Sequence, residues 1–496
     1  MVFMKVIVIA IILLLAISNA TAADKSASIT TSSASATSDI AQTTEAGSVT
    51  STNTATSTSR LIETKGAIIE ISILHAFSHT KTTGKSSSIE LEASASASAG
   101  GTPTEASSST TTGNGADVAT DVFTNVIHNQ GANADQPVQS DTVSSSAEIR
   151  TDSSDGTTLQ VAIASADASD GSTAQATATN DATATESSVE QWVVADASAL
   201  GTDSSADATA NSDATATEGS RVGQTTNADA YAAGTDSSAN ATATNDATAT
   251  EDSQVYQGAG VSAYATGTDS SADATATNDA TATEDSSVGQ DAGFSAYATG
   301  TDSSADATAT NDATATEDSS VVQGAMGNAV ATGTDCSADT TVTNDATATE
   351  GSHIDQSSYP DFAFAEAIGT DSSADTTVTN DATATEGSHV DQTTNAIADA
   401  TTDSSANAVA TNDATATEDS QVYQRSDLAA LATGTDSSAD ATTTNDATAT
   451  EDSFVLQEAY AMASATDTHS PADATATNDA TATNSDVYQQ DVAKDP

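Results

Sequence analysis

Asp302, Asp318 and Asp335 each open a short polar phrase, and the same placement of Asp recurs along the last two-thirds of the chain. Aspartates at regular intervals next to Ser hydroxyls and turn carbonyls offer the hard oxygen ligands that suit Ca²⁺. Asp236, Asp252, Asp269, Asp285, Asp302, Asp318 and Asp335 are therefore the candidate residues for a cation-binding edge. If such residues stack at the ~4.8 Å spacing of neighbouring strands, each pair repels by roughly 0.9 kcal/mol even in water. Ca²⁺ or another hard cation would relieve that repulsion. The competing reading is a row of solvated turn residues screened by salt.

These aspartates belong to a repeat. The Asp of the phrase [Asn/Ser]-Asp-Ala-Thr-Ala-Thr falls at 181, 213, 246, 279, 312, 345, 381, 413, 446 and 479, a period of about 33 with one looser interval. A fixed period of this size indicates stacked units that bury a shared core. Each repeat divides again into half-units of about 16 and 17 residues, such as those opening at Asp302 and Asp318. Each half-unit has the length of one solenoid coil. The expected fold is all-β, a β-solenoid or β-roll of about 33-residue double-coil repeats. About twenty coils at ~4.8 Å each would make a rod approaching 100 Å.

Side-chain parity supports strands. Ala305, Ala307, Ala309, Ala313 and Ala315 share one parity, and Asp306, Thr308, Thr310, Thr314 and Thr316 share the other. This period of two places Ala inward and Thr and Asp outward. Thr340 and Val342 keep the inner parity, whereas Val409 falls outside. The second half-unit carries Ser-x-[Val/Ile]-x-Gln, whose Val255, Val288, Val321, Ile354, Val390, Val422 and Val455 supply one bulky anchor per repeat. Ordering a residue costs ~1–2 kcal/mol of backbone entropy, while a buried methylene returns roughly 0.8 kcal/mol. An Ala-lined coil cannot stand alone, so stacking must add hydrogen-bonded ladders. Asn245, Asn278, Asn311 and Asn344 recur at one turn, and Gln257, Gln290, Gln323 and Gln356 at another position.

A coil that opens with Asp-Ser, runs through a short Val-bearing strand and returns through alternating Ala, as in DSSVVQG and NAVATGT, resembles the head repeats of trimeric autotransporter adhesins. The resemblance spans about 151–490 and implies a left-handed parallel β-roll displayed at a surface. The chain has Val-x-Gln where those heads usually carry Val-Ala-Ile-Gly or Val-Ala-Leu-Gly. It ends in DVYQQDVAKDP, without the coiled-coil stalk and barrel anchor of that family.

The N-terminus reads as a secretory signal peptide over residues 1–22: Lys5, the apolar run Val6 to Ile17 and the small residues Ala20-Thr21-Ala22-Ala23. The apolar run is shorter than the ~20 residues a spanning helix needs, and no later segment is expected to span a bilayer as a helix. Residues 23–59 are a disordered Ser/Thr/Ala-rich segment by composition. Residues 60–99 suggest a small β hairpin or cap, 100–150 a linker with a short apolar piece, 151–490 the acidic solenoid and 491–496 a tail.

Of the 496 residues, 71 are Asp or Glu and 10 are Lys or Arg, for a net charge of −61. Such a chain repels nucleic acid and anionic lipid and attracts cations and basic partners. No nucleic-acid binding is expected. Cys336 stands where sister repeats carry Ser, so no disulfide can form within one chain. His75, His79, His128, His353, His389 and His469 are scattered, with only His353 and His389 at matching repeat positions. No G-x-S-x-G, phosphate-loop or H-E-x-x-H pattern is present, and no enzymatic activity is expected. Asn240-Ala241-Thr242 is the single N-glycosylation sequon after the signal segment.

The leading expectation is a secreted or cell-surface structural and adhesive protein, an acidic rod that associates with itself or with extracellular partners. Two alternatives stand beside it. One is a disordered, mucin-like polyanionic coat; the other is an ice- or mineral-binding solenoid acting through its Thr and Asp faces.

Overall fold

A computed structural model describes residues 160–494, except 167–172, 187, 357–362, 403, 435–436 and 467–470, together with the strand backbone at Thr142–Ser154 and Thr157–Ser169 that pairs with them. The signal peptide, the Ser/Thr-rich segment, the hairpin at 60–99 and most of the linker lie outside the described residues.

From Thr173 onward the chain alternates between two parallel sheets. Strands of the first sheet, such as Ser271–Thr283 and Ser304–Ala315, carry the Ala-Thr phrases; strands of the second, such as Ser287–Thr301 and Ser320–Thr334, carry the Val-x-Gln phrase. We call them the Asn sheet and the Gln sheet after the polar residue each points inward. Ser304–Ala315 pairs directly with Ser271–Thr283 before it and Ser337–Ala348 after it, always parallel and always with like residues opposite: Asn278, Asn311 and Asn344 lie in one column. The fold is a parallel β-solenoid of about ten turns.

The expected double coil is corrected by this pairing. Each half-unit forms one strand and one corner, not a coil, because 16 residues make a single pass of ~3.3 Å per residue and leave none to return. One 33-residue repeat is one turn, so the rod has about ten turns in place of the expected twenty and is about half as long. The looser interval between Asp345 and Asp381 is also explained. Strand His353–Thr370 has 18 residues where Ser320–Thr334 has 15, and the register shifts between Val322 and Met326.

The parity expectation holds along the Asn sheet. Ala305, Ala307, Ala309, Ala313 and Ala315 are buried, as are Thr340 and Val342, while Val409 faces outward. The Val and Ile anchors of the Gln sheet, from Val255 to Val455, are buried too. The interior is not one uniform core. Ala307 and Ala331 belong to a larger apolar cluster and Ala313 and Val321 to a smaller one. A wall of amides runs between them.

That wall contains both expected ladders. Gln290 Nε2 donates to Gln257 Oε1 of the preceding turn at 2.9 Å, and the chain of such bonds runs from Gln191, which donates to Gln160, through to Gln489, which donates to Gln457. The same Gln290 nitrogen donates to the Asp312 carbonyl of the Asn sheet at 3.2 Å, tying the two sheets together. Asn278 donates the opposite way, to Asn311 Oδ1 of the following turn. The Asn column was expected at a turn. It lies mid-strand and fully buried, because the parity that turns Ala309 and Ala313 inward also turns Asn311 inward. A buried amide without partners would cost about 1–3 kcal/mol, and stacked like residues supply most of those partners; where Ser212 breaks the column, Asn180 Oδ1 and Asn245 Oδ1 have none.

Glycine is required at one corner. A Cβ at Gly234, Gly267, Gly300 or Gly333 would collide with the carbonyl of the equivalent Gly one turn earlier, and each has a positive φ, for example 149° at Gly267. The backbones approach closely there, which only a residue without a side chain permits.

Candidate functional site

The aspartates expected to form one edge lie on two. Asp236, Asp269, Asp302 and Asp335 follow strands of the Gln sheet, and Asp252, Asp285 and Asp318 follow strands of the Asn sheet. Asp318 therefore does not stack between Asp302 and Asp335, because successive half-units turn at opposite corners of the solenoid. Asp302 has Asp269 and Asp335 as its column neighbours. The second edge is also interrupted, with Gly219, Gly351 and Gly387 at the positions that Asp252, Asp285 and Asp318 occupy in their own turns.

All seven aspartates adopt a left-handed backbone, with φ from 51° to 58°. Asp tolerates this region better than most residues because its short polar side chain can bond locally. The corner is held by stacking: Asp302 N–H donates to the Thr334 carbonyl and Asp318 N–H to the Glu350 carbonyl, each one turn onward at 2.9 Å. At the Glu-Asp-Ser corner the next residue completes the turn. Ser286 Oγ donates to the Thr283 carbonyl at 2.6 Å and accepts from Ser253 N–H at 3.2 Å. Crowding at the corner and the carboxylates of Asp236 and Asp302 on either side hold the Asp269 carboxyl above its ordinary range. Among the described residues, no three His, Cys, Asp or Glu side chains converge on a point that could hold a metal ion.

The outer face of the Asn sheet is a regular array. Along Ser304–Ala315 the outward residues are Asp306, Thr308, Thr310, Asp312 and Thr314, and neighbouring turns place like residues in register with most of them. The Asp306 column is tightly packed: Ser304 and Ser337 hydroxyls donate to Asp306 and Asp339 at 3.0 Å. Burial, and then the charge of Asp306, push the carboxyls of Asp273 and Asp339 up to about 6, with the Ser337 bond opposing the rise at Asp339. Burial likewise raises Asp312, followed by its neighbours Asp279 and Asp345. Asn240 interrupts the first column and donates to Asp207 Oδ1 at 2.8 Å.

The Gln sheet presents a different outer face, which the sequence reading left without a role. All the exposed large apolar side chains of the described residues stand on it, among them Trp192 at 56% exposure, Tyr256 at 53% and Met326 at 55%. Tyr264 and Tyr297 stack across adjacent turns with ring centroids 4.9 Å apart and planes within 5°. His353 and His389 stack similarly at 5.0 Å, consistent with matched surface positions. The signal was available: Val255 is an inward anchor, so parity alone turns Tyr256 outward.

Cys336 is buried, with its Sγ 3.7 Å from the Gly300 carbonyl, and burial pushes its thiol up. It fills the place of a corner Ser. No helix among the described residues is long and apolar enough to cross a membrane. No protein-family model, curated protein or solved structure matches this chain.

Proposed function

We propose that this protein is a secreted or surface-displayed structural element whose repeats lengthen an acidic rod and enlarge its contact area, without enzymatic chemistry. The observation that carries this reading is the in-register repetition of both interior and exterior. Each added turn extends the Gln ladder by one bond, as from Gln257 to Gln290, and adds another row of outward Asp and Thr. Iteration of this kind extends a body without creating a new site. The charge of −61 keeps such a body soluble and favours basic or cation-bridged partners. The likeness to the head repeats of trimeric autotransporter adhesins fits this role as a likeness of architecture; trimerisation and autotransport are not part of the proposal.

The test follows the full chain in a secreting host. The expected result is export with loss of residues 1–22, a β-type far-ultraviolet spectrum with cooperative melting, and retention of both after one turn, residues 287–319, is deleted in frame. A random-coil spectrum would favour the mucin-like polyanion, and an unexported chain would reject the location.

One observation favours a second reading. Thr308 and Thr310 lie side by side on the parallel Asn sheet, and Thr275, Thr277, Thr341 and Thr343 continue the two columns. We propose that this array, with its flanking Asp columns, would be the surface through which the rod meets an ordered solid, ice or mineral. Thermal hysteresis and crystal-growth inhibition, each compared with Thr308→Lys, would test it; no effect in either assay would reject it.

A further inference from the structure

We infer that the outer face of the Gln sheet is the surface through which two copies of this chain pack against each other. The inference deepens the structural role proposed above and rests on it, since it names how rods associate.

The two faces of the solenoid differ in kind. The Asn sheet presents columns of Asp and Thr, and from Thr173 onward no Lys or Arg stands on it. Two such faces would repel. The Gln sheet carries the exposed apolar side chains and also Arg221, Arg425 and Lys494, the three cations of that stretch. Outward acids such as Glu190, Asp229, Asp391 and Glu458 share this face with the three cations, so a second copy meets apolar surface together with charges of both signs. Monomeric soluble proteins rarely leave a large apolar face uncovered.

The size is sufficient. At ~3.3 Å per residue along a strand and ~4.8 Å between strands, the face measures roughly 40 by 45 Å. Covering half of it would remove about the ~800 Å² per partner of a standard interface.

The distribution of residues suits a two-fold axis. Such an axis, lying in the interface parallel to the strands and between Ser320–Thr334 and His353–Thr370, reverses the order of turns and lays Tyr264 near Leu431 of the second copy. It also lays Tyr256 near Tyr423. Self-complementary pairs of this kind are what an isologous contact requires. A sugar polymer is the other natural occupant of an aromatic face, but it needs free ring faces. Tyr264 and Tyr297 each cover one ring face of the other, which reduces the ring surface open to a sugar.

The experiment uses the full secreted chain at tens of micromolar in physiological salt. Light scattering after gel filtration is expected to give twice the chain mass. The double variant Tyr264→Glu with Met326→Glu should associate at least tenfold more weakly while keeping the parent far-ultraviolet spectrum, and Thr308→Glu on the opposite face should associate like the parent. Mild oxidation of Met326→Cys should give a disulfide-linked dimer that Thr308→Cys does not.

A monomeric parent with an intact β spectrum would overturn the interface and leave the rod reading standing. Association that survives the double variant, or that Thr308→Glu abolishes, would overturn it also. So would a monomer that binds insoluble β-1,4-glucan through Tyr264. A random-coil spectrum would remove the inference together with the reading beneath it.

Discussion

The ring of Phe294 occupies the space that a side chain at Gly327, one turn later in the same column, would fill. A Cβ built on Gly327 would meet the Phe294 ring and stand 2.7 Å from Thr340 Cγ2. The interior of this solenoid is thin because most inward positions are Ala, and it takes one large ring only where the next turn gives up its side chain.

This predicts a specific rescue. Gly327→Val overpacks the core and should destabilise the chain by about 1–3 kcal/mol. Phe294→Ala empties the same volume, so the double variant should recover part of the loss, an interaction expected between residues in contact. Denaturant melts of the two single variants and the double variant measure the coupling. Strictly additive losses would mean that the two positions do not share space.

The Asn column makes a graded prediction. Asn311 accepts from Asn278 at 3.0 Å and donates to Asn344 at 2.9 Å, all three fully buried. Asn311→Ala leaves buried amide groups without partners and should cost about 1–3 kcal/mol. Asn311→Ser should cost less, since Ser212 fills this position naturally and joins the Gln ladder through Gln191 and Gln224. Asn311→Asp should cost most at neutral pH, because it buries a charge beside the Asn344 oxygen. Thermal melting in the order Ser, Ala, Asp checks the assignment; equal losses would mean the ladder adds no more than bulk.

The fold was legible where parity and period both applied. Ala305 and Ala307 alternate with Asp306 and Thr308 over enough residues to fix the inward face, and repetition every 33 residues fixed the register. The number of strands per turn was not legible. A half-unit opening with Asp-Ser looks alike whether it closes a coil or turns one corner, and only pairing between Asp302 and its column neighbours decides. For the same reason Asp318 was grouped with Asp302, though the two stand on opposite edges. The Gln-sheet face was overlooked because Tyr256, Tyr297 and Met326 do not repeat at every turn, and a search for constant phrases passes over variable positions.

Stability should depend on pH through the Asp306 column. Burial and neighbouring charge raise the Asp273 and Asp339 carboxyls to about 6, so the folded chain binds their protons more tightly than the unfolded chain does. The resulting stabilisation is fully present below about pH 4, the ordinary carboxylate value, and is lost as pH rises through about 6. Melting temperature should therefore fall between pH 4.5 and pH 7.5. Asp306→Asn removes the charge that both neighbours face and should flatten that fall. A melting temperature that rises over the same interval would mean that burial does not govern this column.

The acidic edges distinguish screening from specific binding. Asp236, Asp269, Asp302 and Asp335 stand in single file, and the corner N–H of Asp302 is committed to the Thr334 carbonyl. Single-file carboxylates offer a cation few ligands at once, whereas Ca²⁺ in a built site takes six to eight oxygens. The column neighbours also lie closer than the ~10 Å screening length of 0.1 M salt, so moderate salt screens them only in part. Melting temperature should keep rising as NaCl increases towards ~1 M, where the screening length falls to ~3 Å. CaCl₂ at matched ionic strength should give the same gain, and Asp302→Asn should reduce it in both salts. A gain that saturates at millimolar Ca²⁺ and disappears in Asp302→Asn would instead establish calcium sites along this edge, with the left-handed corner supplying a carbonyl beside each carboxylate.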